Sequence, residues 1–388
     1  MAKHIRTKRR TEKNGALQKV LKVLKWVGIG IGGLLAVIVI GFLTVFYTPF
    51  FPKARTQYVL MTLHTSNPWL ATFFFSQETI DKIVEDNRVE SPDGSTDVGM
   101  VKTKPPVSAT TATTATTAAT DTTGTDKTEN PTTTVTKATT AATAPRTTAG
   151  GYHVTTIYED AGMDILQMKE SGYTARLIRV KDPSRVKLGL CENFMVKGKY
   201  GEKLPHMVSR LGAKAGINAG GFQDPGGRGS GNFPTYLCVK DYKILYADDQ
   251  QKHNVIGFNK DNILVLGQFT NDEIVKNNIR DAVAFKPFLI INGKKAKFYG
   301  AAGGTDPRAA IGQTADGTVL LLTIDGRQLG MEGGSMRTIT DIMWEYGAIT
   351  AANLDGGSST TMVLDGKLIN KTCGPAGPRF LPNAWLVF

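Results

Sequence analysis

An uncharged run from Trp26 to Pro52 constrains this chain more than any other feature of its sequence. About 20 consecutive apolar residues are enough to cross the hydrocarbon core of a bilayer as a helix. The first 25 residues hold nine Lys and Arg and one acid, Glu12, and such basic flanks stay in the cytoplasm. The sequence therefore predicts a basic cytoplasmic tail (1–25) and a transmembrane signal anchor (26–48). The protein would be a single-pass protein of the cell membrane with an extracellular C-terminal domain.

A cleaved signal peptide is the alternative to an anchor. The apolar run is longer than the usual hydrophobic region of ~7–15 residues, and no A-x-A-like cleavage site follows it. We therefore expect the helix to be retained and to contact the lipid bilayer through residues 26–48. Gly28 and Gly32 have the spacing of a small-residue helix-pairing face, which leaves a homodimer through this helix open.

The basic character of the chain is local. The tail carries +8 of the formal net charge of +12, so the remainder is nearly balanced and predicts no nucleic-acid partner. Three cysteines (Cys191, Cys238 and Cys373) are too few for a disulfide scaffold. They fit either one disulfide with one remaining thiol or three small buried hydrophobic residues.

Two segments separate the anchor from the C-terminal domain. Residues 49–90 form a juxtamembrane segment with an apolar run, Trp69–Phe75, and a helix expected from Ser76. Docking on the membrane or a partner and packing on the rest of the chain explain that run equally well. Residues 91–150 are predicted to be a disordered linker, because 21 of the 50 residues from 101 to 150 are Thr. Such a linker would hold a domain away from the bilayer.

Residues 151–388 predict one α+β domain with a mixed, largely antiparallel sheet and few helices. Short β-rich runs recur between Gly, Asp and Asn turns. The runs are Ala175–Val180, Val186–Cys191, Ala215–Asn218, Thr235–Val239, Ile263–Leu266, Phe288–Ile291, Val319–Ile324 and Thr360–Leu364. The clearest helix is Ser335–Tyr346, which Ser335 can N-cap and Gly347 can end.

The chemistry-bearing residues of this domain lie in four glycine-rich loops, each beyond a strand-like run. The loops are Ile217–Phe222, Asp306–Gly312, Thr323–Gln328 and Asn353–Thr360. Glycine lets the backbone approach a ligand, Arg suits phosphate recognition, and Asp can act as acid, base or nucleophile at a sugar. Any one loop is more typical of an ordinary turn, but four together indicate a site for an anionic ligand.

In this order the loops resemble the phosphodiester glycosidase family, whose type member is a lysosomal N-acetylglucosamine-1-phosphodiester α-N-acetylglucosaminidase. The family pattern runs N-x-G-F-F, P-R-T-A-I-G, D-G-R, a helix, L-D-G-G-x-S-T and finally R-x-x-x-N-A. The matching stretches are Asn218–Phe222, Pro307–Gly312, Asp325–Arg327, Leu354–Thr360 and Arg379–Ala384. The resemblance covers roughly 152–388. Ala309 stands where the family usually has Thr, so a hydroxyl beside the phosphate-binding Arg308 is expected to be missing.

The resemblance implies a hydrolase that cleaves the glycosidic bond of a sugar-1-phosphodiester. With the anchor, it favours an extracytoplasmic envelope polysaccharide, a carbohydrate phosphodiester, as substrate. Asp355 and Asp325 are the predicted catalytic carboxylates, with their individual roles open. Arg308 and Arg327 would bind phosphate, and Asn218 a sugar hydroxyl or N-acetyl group. The predicted substrate-binding residues are Asn218, Gly220, Arg308, Arg327, Gly356, Gly357, Ser358, Ser359 and Arg379.

Three further points stay open at this level. No cofactor is expected to be required and no metal ligand set is predicted, although four acids leave room for a structural Ca²⁺; these are Asp224, Asp248, Asp249 and Asp306. The same loops would also suit a non-catalytic module that binds glycan phosphates of the cell wall. A transferase that moves a sugar phosphate to an acceptor is a third reading.

Overall fold

The structure is a computed structural model that describes residues 2–48, 50–63, 65, 67–103, 146–374 and 377–388, with side chains from residue 21 onward. These residues form two compact units, Met1–Val59 and Leu60–Phe388. The described ranges contain seven α-helices. They are α1 Ala2–Tyr47, α2 Pro52–Leu63, α3 Trp69–Phe74, α4 Gln77–Asp86, α5 Leu204–Leu211, α6 Asn271–Lys276 and α7 Met336–Glu345.

All strand pairings are antiparallel. The strands are β1 Val89–Glu90, β2 Arg146–Thr147, β3 His153–Glu159, β4 Met163–Glu170, β5 Tyr173–Val180, β6 Val186–Leu190, β7 Ala215–Asn218, β8 Leu237–Lys240, β9 Lys243–Ala247, β10 His253–Asn259, β11 Leu264–Phe269, β12 Ile279–Ala284, β13 Phe288–Ile291, β14 Lys294–Lys295, β15 Lys297–Phe298, β16 Arg308–Thr314, β17 Val319–Ile324, β18 Ala348–Asn353, β19 Met362–Leu364, β20 Lys367–Leu368 and β21 Asn383–Val387.

The strands are arranged in one large sheet and three smaller ones. The nine-stranded sheet has the order β14-β13-β18-β16-β17-β5-β4-β3-β2. Two five-stranded sheets have the orders β11-β10-β12-β8-β9 and β20-β19-β7-β21-β6, and β1 pairs with β15. The α+β class with largely antiparallel sheets is therefore confirmed.

The main core lies on one face of the nine-stranded sheet. Because successive strand residues point to opposite faces, β17 divides its side chains between two clusters. Leu321 packs with Ile217, Phe258 and Trp385 of the smaller sheets. Leu322 packs on the other face with Ile339, which lies on α7. The large sheet is thus covered on both faces, which explains why its central strands read as continuous apolar runs.

Helix α7 forms as the sequence predicts. Ser335 accepts a hydrogen bond from the Thr338 backbone N–H and completes a capping box with that residue. Gly347 follows the helix with φ +79°, a conformation that favours glycine. Buried Ile339 and Met343 fix the helix to the sheet.

The N-terminal unit is helical. Leu21–Tyr47 of α1 has a mean hydropathy of 2.6 and is, among the described residues, the one helix long and apolar enough to cross a membrane. An anchor and a signal sequence both fit this finding.

The juxtamembrane segment ends in a helix that belongs to the C-terminal unit. Ser76 caps α4 by accepting from the Thr79 N–H, and Ile80 and Ile83 are buried. Trp69 and Phe73 of the apolar run stay exposed. Packing on the rest of the chain therefore accounts for α4.

The ordered chain continues beyond residue 90, where the linker was expected to begin. Thr96 exchanges hydrogen bonds with Leu266, and Lys102 N–H donates to Ala315 O. At the other end of the Thr-rich stretch, β2 pairs with β3. Residues 91–103 and 146–150 thus pair with the domain because their backbone groups find strand and turn partners there. The stretch 104–145 lies outside the described residues.

The three cysteines are free thiols. Cys191 and Cys238 are buried among apolar side chains, and burial raises the pKa of each thiol to about 12. The sequence left open a disulfide or small buried hydrophobic residues. Cys191 and Cys238 are small buried hydrophobic residues.

Candidate active site

Three of the four glycine-rich loops meet at a cavity of about 670 Å³. The second, third and fourth loops contribute part of its polar lining, namely Asp306, Arg308, Arg327, Asn353, Asp355, Gly356 and Gly357. Apolar and aromatic lining residues include Leu60, Leu63, Val84, Tyr236, Phe285, Pro287, Met336 and Leu354. An apolar cavity with a few convergent polar groups is typical of a small-molecule site.

The cavity contains more positive than negative charge on its second and third loops. Asp306 Oδ1 accepts a hydrogen bond from Arg327 Nε at 2.8 Å, and Asp306 Oδ2 lies 3.7 Å from Arg308 Nη2. Asp306 is the one carboxylate ion-paired with either guanidinium in the part of the chain that the structure describes. Burial, and secondarily the neighbouring Arg327, lowers the pKa of Arg308. Two cations sharing one anion leave a net positive site that favours an anionic ligand.

Arg308 is fixed by backbone carbonyl groups. Its Nη2 donates to Gly303 O at 3.1 Å and Gly304 O at 3.0 Å, and its Nε donates to Gly334 O at 3.2 Å. The residue is 5% exposed. These contacts already order the guanidinium at the cavity, so ligand binding costs no further loss of side-chain freedom.

Arg327 has an unused donor. Its Nη2 is buried and has no hydrogen-bond partner among the described residues. The backbone of Arg327 takes φ +53°, which costs a non-glycine residue roughly 1–2 kcal/mol. A Cβ at Gly357 would lie 3.3 Å from Arg327 Nη1, so glycine there lets the guanidinium pass against the fourth loop. An unsatisfied cationic donor held in a strained backbone is typical of a functional site.

Asp355 is a carboxyl group whose protonation changes near neutral pH. Burial raises its pKa to about 6, against hydrogen bonds from Ser359 and the Gly356 backbone and the charge of Arg379, which lower it. Its backbone is fixed as well, since Asp355 N–H donates to Ala219 O at 3.1 Å. A carboxyl group with this pKa is suited to proton transfer.

The first loop supports Asp355 and is absent from the cavity lining. Asn218 Nδ2 donates to Asp355 O at 2.5 Å and its Oδ1 accepts from Thr361 N–H. Gly220 N–H donates to Asn383 Oδ1 at 2.9 Å. Both ends of the Asn218 amide are used inside the protein, so Asn218 positions the fourth loop where the sequence suggested a sugar contact.

Asp325, the second predicted carboxylate, is buried in a network of its own and does not line the cavity. Oδ2 lies 2.7 Å from Arg176 Nη1, while Oδ1 accepts from Asn370 Nδ2 at 3.2 Å and Lys371 N–H at 3.1 Å. The residue is 1% exposed. These contacts indicate a structural role, fixing the third loop that carries Arg327.

The remaining predicted residues surround Asp355. Ser359 hydrogen-bonds its carboxyl group. Arg379 lies between Ser358 and Asp224, with Nη1 3.5 Å from Ser358 Oγ and Nη2 3.0 Å from Asp224 Oδ2. The Gly357 N–H donates to Pro307 O at 2.8 Å, and Gly356 has no space for a side chain because its Cβ would lie 2.8 Å from that oxygen. These two glycines allow the second and fourth loops to meet.

Ala309 contributes nothing to the cavity. Arg308 and Ala309 are neighbours on β16 and point to opposite faces, and Ala309 packs in the main core. The expectation that its missing hydroxyl lies beside the phosphate-binding guanidinium was therefore wrong.

Sequence reasoning missed several lining residues. Asp306 opens the second predicted loop but is absent from the predicted site residues, although its position two residues before Arg308 was a usable signal. Asn353 Oδ1 is buried without a hydrogen-bond partner, while its Nδ2 donates to Lys286 O at 3.0 Å. Val84 and Val89 line the cavity from a segment more than 200 residues before the second loop, and no sequence pattern indicates that contact.

No group of three or more His, Cys, Asp or Glu side chains suited to a metal ion occurs within the described ranges. Of the four acids considered for Ca²⁺, Asp224 pairs with Arg379 and Asp306 with Arg327. Asp248 lies 3.3 Å from His253 Nδ1.

Known proteins are similar to this chain in sequence and in fold. An SPbeta prophage-derived uncharacterized protein YomE of Bacillus subtilis (strain 168) is 27% identical over 175 residues, 44% of this chain. The chain spans only 27% of that relative's length. The zebrafish N-acetylglucosamine-1-phosphodiester α-N-acetylglucosaminidase catalytic domain, auto-inhibited by pro-peptide, is 19% identical with a TM-score of 0.48. That match covers 61% of this chain and 82% of the zebrafish one.

A hypothetical protein from Synechocystis is 16% identical, with a TM-score of 0.43 over 61% of this chain and 64% of its own. The sequence profile of the phosphodiester glycosidase family matches residues 211–388. That range holds all four loops and every residue of the polar cavity lining named above. Residues 211–388 of this chain, somewhat less than half of it, therefore match the phosphodiester glycosidase domain.

Proposed function

We propose that this protein hydrolyses a sugar-1-phosphodiester of an extracytoplasmic envelope polysaccharide, with Asp355 as the base. The unpartnered Nη2 of Arg327, in the same cavity as Asp355, carries the proposal. Arg308 and Arg327 outnumber Asp306, the carboxylate with which both pair, and can therefore offset the single negative charge of a phosphodiester, while the ionised Asp355 in the same cavity acts as the base. Each arginine can donate to a phosphate oxygen in the geometry that phosphate prefers.

The chemistry follows from these positions. Water attacks the anomeric carbon and gives a proton to Asp355, while the bond from that carbon to the phosphate oxygen breaks. The electron pair leaves with the phosphate, and the products are a free sugar and a phosphomonoester. Arg327 and Arg308 stabilise the charge that grows on the leaving phosphate, so this group needs little protonation. The transition state resembles an oxocarbenium ion.

The site would lie outside the cytoplasm. The nine basic residues of the tail precede the uncharged run that begins at Trp26, and basic flanks stay inside. This orientation gives the catalytic unit access to envelope polymers. Periplasmic or external labelling of an introduced cysteine on the catalytic unit tests it.

The direct test is hydrolysis of the methyl diester of N-acetylglucosamine 1-phosphate by the full chain in detergent, carried out in ¹⁸O-water. The proposal expects ¹⁸O in the released sugar and none in methyl phosphate, because the carbon–oxygen bond is cleaved. Label in methyl phosphate would show attack at phosphorus. A panel of isolated wall polymers then identifies the natural substrate.

Arg327→Met separates phosphate recognition from general damage. Losing a charged hydrogen bond to the substrate should raise KM about tenfold to a hundredfold. Arg337→Met is the matched control, since Arg337 is exposed on α7 and should leave KM unchanged. Equal effects of the two changes would refute the assigned role. Saturable binding without any released sugar would instead support the glycan-phosphate binding module, and product formed only with an added acceptor would support the transferase.

A further inference from the structure

The segment from α4 to β1 precedes the family-matched range by more than 100 residues, yet it contacts the active site directly. Val84, Asn87, Arg88 and Val89 line the cavity that holds Asp355. Strand β1 is paired with β15, with Val89 opposite Phe298. This segment lies outside residues 211–388, so the catalytic domain as the family defines it does not contain one wall of the cavity.

Asn87 connects this segment to the loop 299–304. Its Oδ1 accepts from Ala301 N–H at 2.7 Å, its backbone O accepts from Gly303 N–H at 2.9 Å, and its Nδ2 donates to Ile83 O at 2.7 Å. The residue is 8% exposed. A Cβ at Gly300 would lie 2.3 Å from Asn87 Oδ1, so the close approach requires glycine there. Asn87 thus fixes both the start and the end of the loop.

The same loop holds the Arg308 guanidinium. Gly303 N–H binds the backbone of Asn87, while the carbonyl groups of Gly303 and Gly304 accept from Arg308 Nη2. One short loop therefore joins the side chain of a residue before the Thr-rich stretch to a cation of the anion site. Displacement of the loop would remove two of the three carbonyl partners that orient Arg308.

Arg88 has a different role from Asn87. Its guanidinium lies 3.8 Å from the Tyr299 ring centroid and pairs with Glu85 and Glu90 at 2.9 Å each. Its charge is thus matched within the segment, and it adds no net charge for a ligand. The contribution of the segment to anion binding passes through Asn87 and the loop.

We infer that Asn87 is a positioning residue for the phosphate group of the substrate, acting through loop 299–304 on Arg308. This inference rests on the proposed function. It makes the segment from α4 to β1 part of the enzyme's binding machinery, so that changes in this segment alter substrate affinity. Arg308 binds the charged phosphodiester before the bond breaks and also stabilises the charge that grows on it. A displaced loop should therefore raise KM, and any fall in kcat should accompany that rise.

The test compares wild type, Asn87→Ala, Gly300→Ala and the double variant, all as full chains in detergent with the methyl diester. Each single change should raise KM about tenfold, the effect of one lost hydrogen bond, and should weaken inhibition by inorganic phosphate in parallel. Both changes disrupt the Asn87 Oδ1 contact, and Gly300→Ala also places a Cβ 2.7 Å from Asp86 O. The double variant should therefore be no worse than Gly300→Ala alone. Gly300→Ala reports on the same contact if Asn87→Ala does not fold.

Asn292→Gly is the matched control. Asn292 fixes the chain just after β1, by accepting from Asp97 N–H at 2.7 Å and donating to Ser95 O at 3.0 Å. It does not line the cavity. Its φ of +51° suits glycine. Asn292→Gly should lower the melting temperature without changing KM. The inference is overturned if Asn87→Ala and Gly300→Ala keep the wild-type KM, if they lower kcat alone, or if Asn292→Gly raises KM equally. An inactive wild type refutes the proposed function itself.

Discussion

Two Asp-Gly loops of this domain look alike in sequence and differ completely in the structure. Asp355 lines the cavity, and burial raises its pKa to about 6. Asp325 is held by Arg176, Asn370 and the backbone of Lys371, and it does not line the cavity. The comparison shows that the environment of an Asp beside a glycine is set by its partners and not by the local sequence. A carboxylate with a matched cation is stabilised as an ion, whereas a buried one without such a pair titrates near neutral pH.

Among the substitutions that test this comparison, Asp355→Asn is expected to change kcat the most. Removing the base should lower kcat about 10³-fold, within the usual range for proton transfer by a positioned side chain. The variant should unfold at no lower temperature than wild type at pH 8, because the ionised Asp355 carboxyl group is disfavoured by burial. Steady-state kinetics with thermal unfolding measure both quantities.

Asp365→Asn is the matched control for that change, since Asp365 follows the same loop on the exposed β19–β20 turn. It should retain wild-type turnover. A wild-type kcat in Asp355→Asn would remove the distinction between the two loops.

Asp325→Asn should lower the free energy of unfolding, whereas Asp355→Asn should lower kcat. The change leaves Arg176, whose side chain is 13% exposed, without its carboxylate. Breaking a buried ion pair costs about 3–5 kcal/mol in the free energy of unfolding, which urea denaturation measures. Below its unfolding transition the variant should keep kcat within a few-fold of wild type. A large loss of turnover in a fully stable variant would restore Asp325 as a catalytic residue.

The pH dependence of activity sharpens the role of Asp355. A base must be ionised, and the Asp355 pKa lies at about 6, so kcat/KM should be level above pH 6. Below pH 6 it should fall about tenfold per pH unit. A profile that rises as the pH falls through 6 would make Asp355 a proton donor. The profile of Asp325→Asn should follow that of wild type.

The sequence predicted the anion-binding loops more accurately than the roles of individual residues in them. Arg308, Arg327 and Asp355 come together as expected because their loops follow strands of one sheet or of its neighbours. Asn218 and Gly220 lie in a loop of the same composition, yet their polar groups bind Asp355 O and Asn383 Oδ1. Composition does not indicate which side of a loop faces the cavity, because hydrogen bonds to distant residues decide it.

The predicted start of the linker at residue 91 shows the same limit of composition as a guide to contacts. The Thr-rich composition predicts a linker over 91–150, of which 104–145 lies outside the described residues. It does not reveal that Thr96 and Lys102 hydrogen-bond to Leu266 and Ala315. Backbone pairing of this kind depends on which strand edge is free in the folded domain.

By itself the sequence determined the apolar helix, the capped helix α7, the α+β class and the family motifs, because these depend on local spacing and on residue type. The tertiary structure alone decided that the pKa of Asp355 is raised while Asp325 is ion-paired, that Arg327 keeps an unused donor, and that Asn87 lines the same cavity. Those properties depend on burial and on partners far away in the chain, and the energy of a buried charge is set by what surrounds it.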